Sequence, residues 1–167
     1  MRGALEKEFR EYVKPVEKPK QFIDGELRDA PRRKRLFIPL SASMPYGTID
    51  AEHEALVDLI NRACDVAEET RFSSERLAPI YSEIEQKFAE HFDNEERMME
   101  LARFSGLTAH RAHHTEVLRR VIEICERVRK GYFAENSDLE AFFDAVIHDV
   151  LRADLPFKTH LERKRPV

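Results

Sequence analysis

Glycine is scarce in this chain, with 5 among 167 residues, and tryptophan is absent. So little glycine leaves few of the tight turns that a sheet-rich fold needs, which points to long helices instead. Charge of one sign is also missing: 28 Lys and Arg stand against 32 Asp and Glu, a net charge of -4. That balance supplies no overall field for holding nucleic acid. No stretch approaches the ~20 consecutive apolar residues needed to span a bilayer. Cysteine is limited to Cys64 and Cys125. Each falls at an apolar helical position, and the start of the chain lacks the apolar run of a signal peptide, so the expectation is a cytoplasmic protein with two buried, reduced thiols.

What remains is charged residues at 36% of a length that suits one domain with an internal core. Residues 1–36 carry 11 Lys or Arg against 7 Asp or Glu, and Pro15, Pro19 and Pro31 interrupt any periodicity. Residues 1–37 therefore read as a charged arm, and 38–167 as the folded domain. The basic run Arg32–Arg35 offers docking to an acidic protein partner or to nucleic acid, although four basic residues beside a proline are ordinarily just solvated. Phe37, Ile38 and Leu40 are placed to pack across one end of the domain. Pro45 and Gly47 then form a turn, with Thr48 or Asp50 as a helix cap.

Four amphipathic helices follow. The first, about 50–70, sets Leu56, Val57, Ile60, Ala63 and Cys64 on one stripe with His53. The second, about 75–104, places His91 and Glu95 among Leu77, Ile80, Tyr81, Ile84, Phe88, Met98 and Met99. Ser105 and Gly106 break the chain before a third, about 108–131, which aligns His110 and His114 with Val117, Leu118, Val121, Cys125 and Val128. Ser137 and Glu140 read as a capping box opening a fourth, whose stripe of Leu139, Phe142, Phe143, Val146, Ile147, Val150 and Leu151 includes Asp154. Short breaks force neighbouring helices to run in opposite directions, so the fold class is all-α, an antiparallel up-down four-helix bundle.

Burying a histidine or carboxylate is costly unless its lone pairs find a partner. A single inward histidine is ordinarily a satisfied core residue. Six polar groups from four helices, His53, His91, Glu95, His110, His114 and Asp154, are another matter. His91 with Glu95 and His110 with His114 are i, i+4 pairs, the spacing that presents two donors to one ion. Imidazole and carboxylate without thiolate suit iron, with manganese or zinc as alternatives, and carboxylates able to bridge suggest two ions.

Ile49-Asp50-Ala51-Glu52-His53, with Leu56 and Asn61, resembles the first-ligand segment of the hemerythrin family. His91-Phe92-Asp93-Asn94-Glu95-Glu96-Arg97-Met98-Met99 resembles its His-Phe-x-x-Glu-Glu signature, and His110 to His114 its next motif. The resemblance covers about residues 38–161. It implies two non-haem irons, one held by His53 and His91, the other by His110 and His114, with Glu95 and Asp154 bridging. It also implies O₂ carriage or sensing at the His53/His91 iron, which keeps an open position.

One position departs from the family. A third histidine belongs five residues before the bridging aspartate, and the residue there is Asp149. The neighbouring His148 does not replace it: at ~100° per residue it lies with Asp144, Ala145 and Arg152, nearly opposite Val146, Val150 and Asp154, and should face solvent. Asp149 sits on the flank of the stripe, from where a carboxylate can bind iron, and is the seventh expected ligand. Its charge favours ferric iron, so autoxidation is expected to compete with reversible binding. A di-iron oxidase or peroxidase acting on a small molecule is the alternative function, and iron storage or detoxification a further one. His113 reads as an exposed residue with a subsidiary option of orienting the site, and His160, beyond Pro156, as no ligand.

Overall fold

A computed structural model describes residues 36–38 and 47–164. The arm at 1–35 and Leu40 lie outside the described residues. Four antiparallel helical segments make the bundle: α1 (Gly47–Thr70), α2 (Ser74–Leu101), α3 (Leu107–Arg129) and α4 (Asn136–His148). A single π-helical turn, Asp149–Ala153, continues α4, and α5 (Leu155–Lys164) follows it. The main contacts run α1 to α2, α2 to α3, α3 to α4 and α4 back to α1, which closes a square around one interior. The chain thus forms the all-α bundle that its periodicity implies, and no strand occurs among the described residues. No helix among them is long and apolar enough to cross a membrane.

Three boundaries differ from the sequence reading. First, α1 begins at Gly47 rather than near residue 50, so Thr48 and Asp50 lie inside it. The gain is burial of Ile49, which is fully covered against Met99, Phe157 and Leu161. Second, α2 stops at Leu101, where Arg103 turns to a left-handed φ of 53°. Third, the box at the start of α4 is not Ser137 with Glu140. Asp138 accepts the Glu135 backbone N–H at 2.8 Å, and Arg127 of α3 pairs with that same carboxylate. An interhelical arginine thus selects which acidic residue caps, which local pattern cannot reveal.

The apolar residues from Ile49, Met99, Phe157 and Leu161, with Met98, Phe104 and Leu107 against them, close one end of the bundle. Phe37, expected to take that role, is 51% exposed; α5 supplies the closure instead. Farther along, Tyr81, Phe88, Phe142, Leu56 and Ile60 are fully buried. The bundle interior therefore has an apolar plug at one end and an apolar core on the other side, and polar groups between them are shut off from water.

Candidate metal centre

Between plug and core lie all seven residues expected as ligands: His53 from α1, His91 and Glu95 from α2, His110 and His114 from α3, Asp149 from the π turn, and Asp154 just after it. None is more than 5% exposed, and Glu95 is completely buried. His53 Nε2 is 3.0 Å from His91 Nε2 and 3.4 Å from Asp154 Oδ2. Glu95 Oε2 is 3.0 Å from His110 Nε2 and 3.3 Å from His114 Nε2. Asp154 Oδ1 lies 3.7 Å from His110 Nε2.

Asp149 reaches both sides. Its Oδ2 is 3.3 Å from His91 Nε2 and its Oδ1 3.4 Å from His114 Nε2. Two donor sets result, Glu95 with His110, His114 and Asp149, and His53 with His91 and Asp149, each with its donor atoms within 4.8 Å of one another. The residue expected beside the second ion alone is shared by both sets. The π turn accounts for this. Asp154 N–H donates to Asp149 C=O at 3.0 Å, an i to i+5 bond, whereas five residues of regular α-helix leave ~140° between side chains. The wider turn brings both aspartates onto the inner face, while His148 stays exposed as the sequence geometry requires.

Several functional partners had no role assigned from the sequence. His91 Nδ1 donates to Glu52 Oε2 at 3.0 Å, and Asn94 holds the other Glu52 oxygen at 2.7 Å. His114 Nδ1 donates to Glu96 Oε1 at 2.9 Å, and Arg111 holds the other Glu96 oxygen at 3.0 Å. In both pairs the outer nitrogen is tied to a carboxylate on the preceding helix, which turns Nε2 inward. Phe92 stacks on the His114 ring, with centroids 3.8 Å apart and planes 11° from parallel. The signal was position: Glu52 and Glu96 are direct neighbours of His53 and Glu95. His113 is not the exposed residue expected; it is half-buried, with Nε2 3.4 Å from Asp149 Oδ1. His160 donates to the Ala102 carbonyl at 2.9 Å, well occupied at the plug.

Metal ions fit this donor set. Among the described residues, Glu95 Oε1, His114 Nε2, Asp149 Oδ1 and both Asp154 carboxylate oxygens are buried without a hydrogen-bond partner. Orphaned buried polar atoms of this kind are rare in proteins and demand an explanation. Cations supply one.

Without ions, protons do part of that work. Burial drives the His91 imidazole down, but hydrogen bonds to Asp149 and Glu52 outweigh it and hold it up at about 9. His114 is likewise opposed by burial and held up at about 9 by Asp149 and Glu95. Burial dominates at His53, beside His91, and pulls it down to about 4. Glu95 is driven up by burial but brought down to about 2 by His110 and His114, while burial and the charges of Asp149 and Glu95 push Asp154 well above the usual carboxylate range. The raised histidines stabilise the ion-free fold fully below about pH 6.5, and this is lost as pH climbs toward 9; the lowered His53 has the opposite sign, costing stability as pH falls from 6.5 toward 4. Asp154, also raised, loses stability in the same direction as pH rises, so ion-free stability should fall as pH climbs from about 6.5 toward 9. Ions need neutral imidazoles, so binding at pH 7 should expel protons from His91 and His114, and affinity should climb up to about pH 9. Calorimetry in buffers of different ionisation enthalpy measures that release directly; buffer-independent heats would contradict it.

A model of the hemerythrin HHE cation-binding domain matches residues 44–156. Searches of curated proteins and of solved structures found no match.

Proposed function

The chain belongs to the hemerythrin HHE cation-binding family, and from that premise and the site geometry we propose that it is a non-haem di-iron protein that binds or reacts with O₂. The observation that carries this reading is the pair of donor sets joined through Asp149, four histidines with Glu95 and Asp149, beside the equally buried Asp154 in a dry interior. His53 and His91 would hold one ion and His110, His114 and Glu95 the other, with Asp149 and Asp154 facing both. Iron bound there supplies the redox chemistry toward O₂ that side chains alone lack. The plug of Ile49, Met99, Phe157 and Leu161 excludes water, Glu52 and Glu96 orient His91 and His114, and Phe92 fixes the His114 ring plane.

A second reading is favoured by Asp149 itself. A third carboxylate where the family has a histidine gives the centre more negative charge, which favours the ferric state and suits a di-iron oxidase or peroxidase acting on a small molecule. Anaerobic Fe²⁺ titration of the whole chain followed by O₂ separates the two. Uptake of two ions per chain, with an absorbance that disappears on deoxygenation, supports carriage or sensing; permanent conversion to ferric protein supports the oxidase. Failure to take up two ions refutes both. Glu52→Ala should weaken Fe²⁺ binding ~10–100-fold, the usual cost of removing a partner that orients a ligating histidine. Competition against a chelator reads this, with circular dichroism confirming the fold.

A further inference from the structure

His113 is absorbed neither by the core nor by the two donor sets. It sits on α3 beside His114, with a side chain 27% exposed, yet its Nε2 atom is buried and has no hydrogen-bond partner among the described residues. Opposite it, at 3.4 Å, is Asp149 Oδ1, equally buried and equally without a hydrogen-bond partner. Two orphaned groups of complementary chemistry, an imidazole nitrogen and a carboxylate oxygen, thus face each other just outside good hydrogen-bond geometry. On its outer side the His113 ring lies against His148, with centroids 5.9 Å apart and planes at 30°. The ring has little reason to be polar unless it acts on Asp149, because a leucine would fill the same half-buried place without an orphaned nitrogen.

We propose that His113 is a positioning residue of the metal centre: its Nε2–H donates to Asp149 Oδ1 and holds that carboxylate across the two histidine pairs. Aspartate is shorter than histidine and can rotate about its own side-chain axis. A carboxylate required to face His91 with one oxygen and His114 with the other gains from a donor that fixes its plane. The hemerythrin resemblance assigns no such role to this position; it follows from the replacement at Asp149 and from the π turn that swings the carboxylate toward α3.

This inference rests on the two-ion reading above. The test is anaerobic Fe²⁺ titration of the wild-type chain, His113→Leu and His113→Gln, with a competing chelator to obtain both affinities. Glutamine keeps an N–H at about the reach of Nε2. The leucine variant should bind its weaker Fe²⁺ ~10–100-fold less tightly, and glutamine should restore most of that loss. A leucine variant as tight as wild type overturns the proposal. So does a glutamine variant as weak as leucine, because the imidazole would then act otherwise than as a donor. If the wild-type chain itself takes up no pair of ions, the two-ion reading is what fails.

Discussion

Replacing Asp149 by histidine is expected to leave two-ion binding in place and to slow oxidation of the ferrous protein by O₂ at least tenfold. Asp149 is 1% exposed and faces His91 on one side and His114 on the other, so its charge would act on an ion held at either histidine pair with little water to screen it. A tenfold change needs only about 1.4 kcal/mol. One full charge removed from a dry site within a few ångströms of an ion supplies that with margin. Stopped-flow mixing of the anaerobic ferrous proteins with O₂ is the measurement. Should Asp149→His convert permanent oxidation into an adduct that disappears on deoxygenation, Asp149 is what separates this chain from oxygen carriage. Equal rates in the two proteins would show that the third carboxylate does not set the oxygen chemistry.

Asp154→Asn carries two expected effects of opposite sign. In ion-free protein, Asp154 is buried beside Glu95 and Asp149, and both of its oxygens lack a hydrogen-bond partner among the described residues. A neutral amide of nearly the same shape removes the electrostatic cost, so the ion-free variant should be more stable by ~1–3 kcal/mol. At ~2–4 °C per kcal/mol for a chain of this size, the rise in Tm is a few degrees. With Fe²⁺ or Mn²⁺ present at about a thousand times its Kd, the wild type should gain about 4 kcal/mol, and the variant should gain far less because a shared anionic donor is gone. Thermal melts with and without metal thus cross over: variant above wild type without ions, below it with them. A variant less stable than wild type under both conditions would mean that Asp154 serves the fold and not the ions.

The same cost to the ion-free fold makes the constellation legible in the amino-acid pattern. Histidines and carboxylates on apolar stripes cost stability, and their 3.6-residue spacing puts them beside Val, Leu and Ile that must be buried. His53, His91, Glu95, His110, His114 and Asp154 announce themselves in this way, and helix periodicity carries the bundle with them. The ends of the helices are less legible. The cap at Asp138 depends on Arg127 from another helix, and the early start at Gly47 depends on Ile49 meeting Phe157 and Leu161 from α5. Neither partner lies within a local window.

The amino-acid pattern by itself therefore determined that four amphipathic helices carry a polar seam of histidines and carboxylates, because period and burial are properties of each helix taken alone. Tertiary structure decided how that seam is divided. A wheel at ~100° per residue leaves Asp149 on the flank; one i to i+5 turn places it between the two histidine pairs. The same packing brought Glu52 to His91, Glu96 to His114 and His113 to Asp149. Those contacts join different helices, and spacing within one helix contains no information about what a side chain meets on the next.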